Sequence, residues 1–270
     1  MSGVYIGVDG VAKKVKDIYI GVNGVARKVK KAYIGVNGVA KECYSSGKKL
    51  NSCAVGDIVQ LTENGVNVEY IVIHQGLPSS MYDASCNGTW LLRKECLSPA
   101  RAWDSANKND YANSDIDSYL NGTFFNTLGV LEQSAIKQVK IPYRKGAGIN
   151  KTVTSGSNGL STKVFLLSAA ELSFNHTDIL PTNEGAELSY FKGCSDTGND
   201  NKRVCKVGSS NYYWWTRSPY CLENYGETEA ITVTQNGGIA DHLCYNTNGI
   251  RPALIMNGDT LLDPETNTIL

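Results

Sequence analysis

Histidine, the commonest general base in enzymes, is scarce in this sequence. Its three copies, His74, His176 and His242, lie far apart, and no nucleophile motif such as G-x-S-x-G accompanies them. A lone histidine is more often a surface or core residue than a base. The histidines therefore predict no catalytic site.

Paired carboxylates could hydrolyse a glycosidic bond, one acting as the acid and the other as the base or nucleophile. Two such pairs can be drawn from the sequence, Glu184 with Glu187 and Asp115 with Asp117. Nothing around either pair predicts the raised pKa that a general acid needs. We therefore expect that the protein is not an enzyme.

Metal and nucleotide sites lack their usual motifs. None of the eight cysteines forms C-x-x-C, no P-loop or G-x-G-x-x-G occurs, and the oxygen-rich stretch 196–201 lacks EF-hand spacing. We expect no metal and no cofactor. Most cysteines are expected to be buried free thiols, and Cys221 and Cys244 are the first pair to consider for a disulfide.

Aromatic and polar residues are mixed between residues 220 and 245 in a way that is typical of binding surfaces. Tyrosine buries a large area at low entropic cost and still forms hydrogen bonds, while Asn, Ser and Gly adapt to a partner. The residues expected to face a ligand on this basis are Tyr220, Leu222, Tyr225, His242, Leu243 and Tyr245. The alternative is a turn-rich surface whose tyrosines partly cover the core.

Three residues just before this segment are expected to be structural. Trp214 and Trp215 are adjacent on a predicted strand and must point to opposite faces, so we expect at most one of them in the core. Arg217 is expected to bind loop carbonyls or to pair with a buried acid, because an unpaired guanidinium is rarely buried.

Three gapless repeats with a period of fourteen residues open the sequence, centred on Asp9-Gly10, Asn23-Gly24 and Asn37-Gly38. These dipeptides tolerate the positive φ angles of a two-residue type I′ turn, so each repeat is predicted to be a β-hairpin. Pairing outward from the first turn puts one largely apolar face together, interrupted only by Lys13. That face consists of Val4, Ile6, Val8, Val11 and Val15. A lone hairpin is marginal in water, so this face needs a cover.

The rest of the sequence, residues 47–270, is predicted to be one α+β domain that follows the repeats of residues 1–46. Strands are predicted at 56–61, 66–74 and 89–94, followed by one helix capped by Ser114 and another from Leu131. Strands dominate again between residues 212 and 254.

The charge is balanced overall but not along the chain. The 26 basic and 26 acidic residues cancel, yet residues 1–43 hold eight Lys or Arg and three Asp or Glu, a net +5, which leaves −5 for the remainder. Without a strong overall field we expect no nucleic-acid partner. No apolar run reaches membrane-spanning length, and the first residues lack the plan of a signal peptide. We expect no membrane insertion. We expect a protein that is either cytoplasmic or leaves the cell by a route other than a cleaved signal, such as release inside a virus particle.

Three motifs follow one another in the body: Tyr119-Leu-Asn-Gly-Thr-Phe-Phe, Trp214-Trp215-Thr-Arg217-Ser-Pro and Gly249-Ile-Arg251-Pro-Ala. Together they resemble a family of bacterial and phage domains, many of them variable proteins of diversity-generating retroelements. The resemblance covers roughly residues 50–257 and implies a C-type-lectin-like fold, with Arg251 in a structural role. The hairpins are similar to repeats in phage structural proteins.

In that family the surface between the last two motifs is diversified, because template adenines are miscopied and Asn codons change. The run Ile239-Ala-Asp241-His242-Leu243 and the nearby Tyr245 contain only residue types that such miscopying permits. The resemblance therefore adds Ile239 and Asp241 to the residues that we expect to face a ligand.

The resemblance implies a ligand-binding display protein, encoded by a phage or prophage. Its diversified surface would meet a receptor on a bacterial surface, either a protein or a glycan. The apolar hairpin faces predict attachment to other virion proteins or a homo-oligomer. Two alternatives are an enzyme that acts on a cell-surface polymer and a passive structural subunit of a phage particle.

Overall fold

The computed structural model describes residues 4–15, 17–195 and 198–270, with the side chains of Glu42, Ser45 and Tyr225 left outside the description. The repeats form three separate two-stranded antiparallel sheets. Their strands are β1 (Tyr5–Val8), β2 (Val11–Lys14), β3 (Tyr19–Val22), β4 (Val25–Lys28), β5 (Lys31–Val36) and β6 (Val39–Ser45). The prediction of three hairpins is confirmed.

The register of the hairpins also follows the prediction. Val8 lies opposite Val11 and Ile6 opposite Lys13, and the other two hairpins repeat this pairing. Asp9 and Gly10 have φ angles of 52° and 76°, the left-handed values that the turn requires. The turn dipeptide therefore fixes which side chains share a face.

Among the described residues, the body contains eighteen further strands, most of them short. They are β7 (Lys48–Lys49), β8 (Ile58–Glu63), β9 (Val66–Gly76), β10 (Gly88–Arg93), β11 (Leu97–Ala102), β12 (Val139–Ile141), β13 (Tyr143–Arg144), β14 (Val153–Thr154), β15 (Leu160–Thr162), β16 (Val164–Phe165), β17 (Cys205–Val207), β18 (Ser210–Tyr212), β19 (Trp214–Pro219), β20 (Glu229–Val233), β21 (Ile239–Leu243), β22 (Thr247–Ile250), β23 (Ala253–Met256) and β24 (Leu261–Leu262).

Two five-stranded sheets organise the body. The first sheet has the order β16-β23-β10-β9-β8, and the second sheet has the order β11-β22-β19-β20-β21. The long hairpin of β8 and β9 turns at Asn64-Gly65, where both residues have positive φ angles. Strand β21 is the outermost strand of the second sheet, which leaves one of its edges without a strand partner among the described residues.

The helices are fewer and shorter than an α+β prediction suggests: the chain is mostly β, with 41% strand and 15% helix. Helix α1 (Asp115–Tyr119) begins as predicted at Ser114, whose hydroxyl accepts a hydrogen bond from the Asp117 amide at 3.2 Å. Helix α2 (Val130–Ala135) stops early because Ile136 turns extended and bridges to Met256 at the first sheet. A π-helical turn (Leu120–Phe124) continues α1. The remaining helical segments are 3-10 turns at Leu50–Ser52, Ala84–Cys86, Tyr111–Asn113, Phe125–Thr127, Gly156–Asn158, Ala170–Leu172, Ser189–Phe191 and Glu223–Tyr225.

Two hydrophobic clusters form the core, and the adjacent tryptophans of β19 divide between them. Trp214 belongs to one cluster and Trp215 to the other, so they do point to opposite faces. Both are fully buried, however. The expectation that at most one of them is in the core is wrong, because the second sheet is covered on both sides.

A disulfide joins Cys96 and Cys205, with their Cα atoms 5.9 Å apart. The expected pair, Cys221 and Cys244, consists instead of two buried free thiols. The Cys221 amide bonds the Ile179 carbonyl, whereas the Cys244 amide bonds Thr228, so separate contacts hold the two residues. Pairing depends on these long-range contacts, which cysteine spacing does not reveal.

Candidate ligand-binding surface

The residues expected to face a ligand gather on strand β21 and the chain after it. All five residues of β21 are partly exposed, and Tyr245 just beyond the strand is 52% exposed. Strand alternation splits them: Ile239, Asp241 and Leu243 share one face, while His242 lies on the other. Side chains on both faces of β21 are therefore partly accessible.

Three of the expected residues contribute to packing. Tyr220 is only 8% exposed and belongs to the same hydrophobic cluster as Trp214. Leu222 and Ile239 are partly buried and pack against that cluster. The side chain of Tyr225 lies outside the described residues. The exposed part of the expected surface is therefore centred on Asp241, His242, Leu243 and Tyr245.

His242 is held firmly in place on the second sheet. Its ring centroid lies 5.1 Å from that of Tyr213 and 6.2 Å, edge-on, from that of Trp215. Its Nδ1 lies within hydrogen-bond distance of the Asn248 side-chain amide, at 2.9 Å from Nδ2. These contacts orient the imidazole, so a ligand would meet a fixed group.

A carboxyl pair adjoins this surface and was not anticipated from the sequence. Glu229 lies opposite Leu243 and Ile231 lies opposite Asp241, which brings the Glu229 and Asp241 side chains to one face of the strand pair. Partial burial, followed by the nearby charge and hydrogen bond of Asp241, raises the pKa of Glu229 to about 7. At neutral pH Glu229 is therefore protonated for part of the time. Only the register of β20 and β21 could have revealed it.

Arg217 makes both kinds of contact that the sequence suggested for it, with loop carbonyls and with a buried acid. Its guanidinium donates two hydrogen bonds to the Glu171 carboxylate, at 2.6 and 2.7 Å, and three more to the carbonyls of Pro142, Leu166 and Glu184. Both members of the ion pair are completely buried. Tyr82 also donates to Glu171, at 2.8 Å. Arg217 thus ties the middle of β19 to three loops.

Arg251 is also buried, beside the tryptophan of the preceding motif. Its Nε donates to the Arg93 carbonyl at 2.8 Å, and its guanidinium lies 5.3 Å from the Trp214 ring centroid. Burial lowers the pKa of Arg251 to about 10, so it stays charged at neutral pH. These contacts agree with a role in the scaffold.

The two acidic pairs of the sequence do not act as pairs. Glu184 is buried, accepts from the Ser218 hydroxyl and from the Arg144 amide, and its pKa is raised to about 7 mainly by burial. Glu187 is exposed and accepts from the Ser173 hydroxyl at 2.5 Å.

The second pair separates in the same way. Burial raises the pKa of Asp117 to about 7, whereas hydrogen bonds from the side chain and the backbone amide of Ser105 lower the pKa of Asp115. The expectation that none of these groups has a raised pKa is wrong for Glu184 and Asp117, because burial depends on the tertiary fold.

A cavity of about 380 Å³ lies away from β21, between segment 170–187 and Cys194. It is large enough for a small ligand, and its lining includes His176 and Glu187. Burial and a hydrogen bond with Asp200 raise the pKa of Cys194 to about 11. A thiol that holds its proton so tightly is a poor nucleophile, so the cavity does not activate Cys194.

Within residues 4–15, 17–195 and 198–270, no three His, Cys, Asp or Glu side chains lie close enough together to hold a metal ion. Asp196 and Thr197 of the oxygen-rich stretch fall outside these ranges. In the same part of the chain, no helix has both the length and the apolar character needed to cross a membrane.

Residues 87–258 match the family described as Domain of unknown function (DUF6273). The chain belongs to the DUF6273 family. No curated protein and no solved structure matches the chain. The DUF6273 match includes the whole second sheet and the three motifs, but β8 and β9 lie before it. Strand β9 pairs with β10, and β8 pairs with β9. The first sheet is therefore completed by strands from outside the matched range.

Proposed function

We propose that the chain is a ligand-binding display protein and that strand β21, with the residues up to Tyr245, contacts the ligand. One observation carries the proposal: every residue of β21 is partly exposed, whereas every residue of β19, two strands further in, is buried. A rigid scaffold that supports an accessible outer strand can tolerate different side chains there without losing its core.

The motif resemblance extends this proposal to the fold and to the source of variation. We take the body to be C-type-lectin-like and the surface around β21 to be diversified by a retroelement. The position of Arg217 and Arg251 in the buried scaffold supports this, because the two motifs then flank the surface without contributing to it. The proposed ligand is a protein or glycan on a bacterial surface, and the proposed carrier is a phage or prophage.

The hairpins have a separate role in this proposal, which is to mount or assemble the body. Their exposed apolar residues and their net positive charge distinguish them from the acidic remainder of the chain. A display protein needs such an attachment, since many weak contacts become effective when several bodies act together.

Binding of the labelled full-length protein to a panel of intact bacteria tests the proposal. Tyr245→Ala removes an exposed ring. The backbone amide of residue 245 still donates to the Asn107 side chain, so the substitution leaves this contact in place. We expect binding to weaken by about tenfold or more with an unchanged melting temperature. The matched control is Tyr212→Ala on strand β18, which removes a ring that is 39% exposed.

Equal effects of the two substitutions would contradict the proposed surface. Wild-type protein that binds no bacterium in the panel would favour the passive structural subunit instead. For the diversification itself, the DNA beside the gene should encode a reverse transcriptase and an imperfect copy of the 3′ end that differs at adenines. Their absence would remove that part of the proposal.

A further inference from the structure

Exposed large apolar side chains concentrate in the three hairpins. Nine of the seventeen such residues in the described part of the chain are there, although the hairpins make up about a sixth of its length. Each hairpin exposes one tyrosine, one isoleucine and one valine at equivalent positions. Ile6, Ile20 and Ile34 are 53–55% exposed, and the valine after each turn, Val11, Val25 and Val39, is 58–59% exposed.

Nothing within the described chain covers these side chains. Each hairpin is its own two-stranded sheet, with its isoleucine on the apolar face that the register defines. Isolated two-stranded hairpins are marginal in water. The hairpins therefore need a partner surface for stability as well as for attachment.

The amount of exposed surface is close to that of one side of a stable interface. The six aliphatic residues together expose on the order of 600 Å² per chain, and each partner in a standard interface contributes about 800 Å². Interfaces between identical subunits are also more apolar than other interfaces, as this surface is. Area and composition thus favour a second copy of the chain.

The repeat itself points to the same partner. Three equal apolar patches recur every fourteen residues, and a second copy of the hairpins offers three equal patches with the same period. Three linked contacts then form together, each raising the effective concentration of the next. A partner without this period could cover one patch well, but not all three in the same way.

We propose that the apolar faces of the three hairpins pack against the hairpins of a second copy of the chain, and that this contact assembles the protein. The inference rests on the assembly role proposed above, and it is independent of what the body binds. Lys13, Arg27 and Lys41 lie opposite the three isoleucines on the same faces, so the contact brings like charges near one another. Salt screens that repulsion and therefore tightens the assembly.

Sedimentation of the full-length protein over a range of concentrations and sodium chloride tests the proposal without any ligand. We expect association that tightens severalfold between 0.05 and 0.5 M salt. Three variants remove apolar surface step by step: Ile6→Thr alone, then with Ile20→Thr added, then with Ile34→Thr added as well. Threonine keeps the β-propensity of the strands. Each step should weaken association by about tenfold or more, while the melting temperature of the body stays unchanged.

The charged residues of the same faces provide the matched control. Lys13→Thr, Arg27→Thr and Lys41→Thr together should tighten association, because they remove repulsion. If they loosen it, or if salt loosens it, the partner of the hairpins is an acidic surface and the proposal is wrong. A monomer at all concentrations and salts, or association that the isoleucine series leaves unchanged, would overturn it as well. Loss of bacterial binding by Tyr245→Ala with intact assembly separates this inference from the ligand surface.

Discussion

Arg217 and Glu171 form an ion pair with neither side chain exposed, held by two hydrogen bonds at 2.6 and 2.7 Å. The nearby Glu184, which burial keeps partly protonated at neutral pH, accepts from Ser218, and its backbone carbonyl accepts from Arg217. The network places three acceptor carbonyls and one carboxylate around a single guanidinium. It connects the centre of the second sheet to the loops that surround it.

Removal of one partner should therefore be costly. We expect Arg217→Ala to lower the free energy of unfolding by about 3–5 kcal/mol, because it leaves the Glu171 carboxylate buried without its cation. Urea denaturation followed by tryptophan fluorescence measures this. The control is Lys94→Ala, which breaks the half-exposed pair with Glu69 and should cost less than about 1 kcal/mol. A similar cost for both substitutions would show that the network is not important for stability.

Stability should decrease as the pH rises from 5 to 8. The folded pKa values of Glu184 and Asp117 are about 7, above their ordinary values of 4.5 and 3.8, so the folded state holds these protons more tightly than the unfolded state. Their contribution to the free energy of unfolding is complete below about pH 4 and is lost as the pH rises through 7. Burial lowers the pKa of His74 from its ordinary value of 6.5, so this residue makes stability rise with pH below that value.

Glu184→Gln tests the assignment, because glutamine keeps the shape and cannot ionise. We expect the decrease in unfolding free energy between pH 5 and 8 to become smaller by about 2 kcal/mol in this variant. Denaturant titrations at several pH values measure it. An unchanged pH dependence would mean that Glu184 ionises normally in the folded protein.

The disulfide should contribute substantially to stability, because it closes a loop with a sequence separation of 109 residues. We expect the double substitution of Cys96 and Cys205 by Ala to lower the unfolding free energy by about 2–4 kcal/mol. The comparison is Cys43→Ala, which changes a half-exposed free thiol and should have little effect. Alkylation and mass spectrometry without reductant should find these two cysteines protected as a linked pair of peptides.

Two glycines with almost the same backbone angle should respond differently to alanine. Gly237 and Gly146 have φ angles of 80° and 77°, so alanine is strained by about 1 kcal/mol at either position. A Cβ at Gly237 would also collide with the backbone carbonyl of Asp200, whereas nothing lies within 4 Å of one at Gly146. Gly237→Ala should lower the melting temperature far more than Gly146→Ala, and equal shifts would contradict the close approach of the two loops.

Local features of the fold could be predicted from the sequence because short-range chemistry determines them. Asn-Gly and Asp-Gly fix the hairpin turns, and with them the register that puts Ile6 opposite Lys13. Ser114 caps a helix because its hydroxyl reaches the amide of Asp117. The alternation of β19 correctly separates Trp214 from Trp215.

Features that depend on distant parts of the chain could not be predicted. The cover on the second face of the second sheet buries Trp215, and the pairing of Cys96 with Cys205 follows from the path of the chain between them. The burial of Glu184 has the same origin. Of the residues predicted to face a ligand, those of β21 lie on an outer strand, whereas Tyr220 belongs to the core. The Glu229–Asp241 pair depends on a strand register that composition does not contain.

Strand β7 at the start of the body pairs with β24 near residue 262. The first and last strands of the body are therefore neighbours in one small sheet. A body whose first and last strands are neighbours can be replaced by another such body without changing the hairpins that precede it. Exchange of this kind would give one set of hairpins a succession of different bodies.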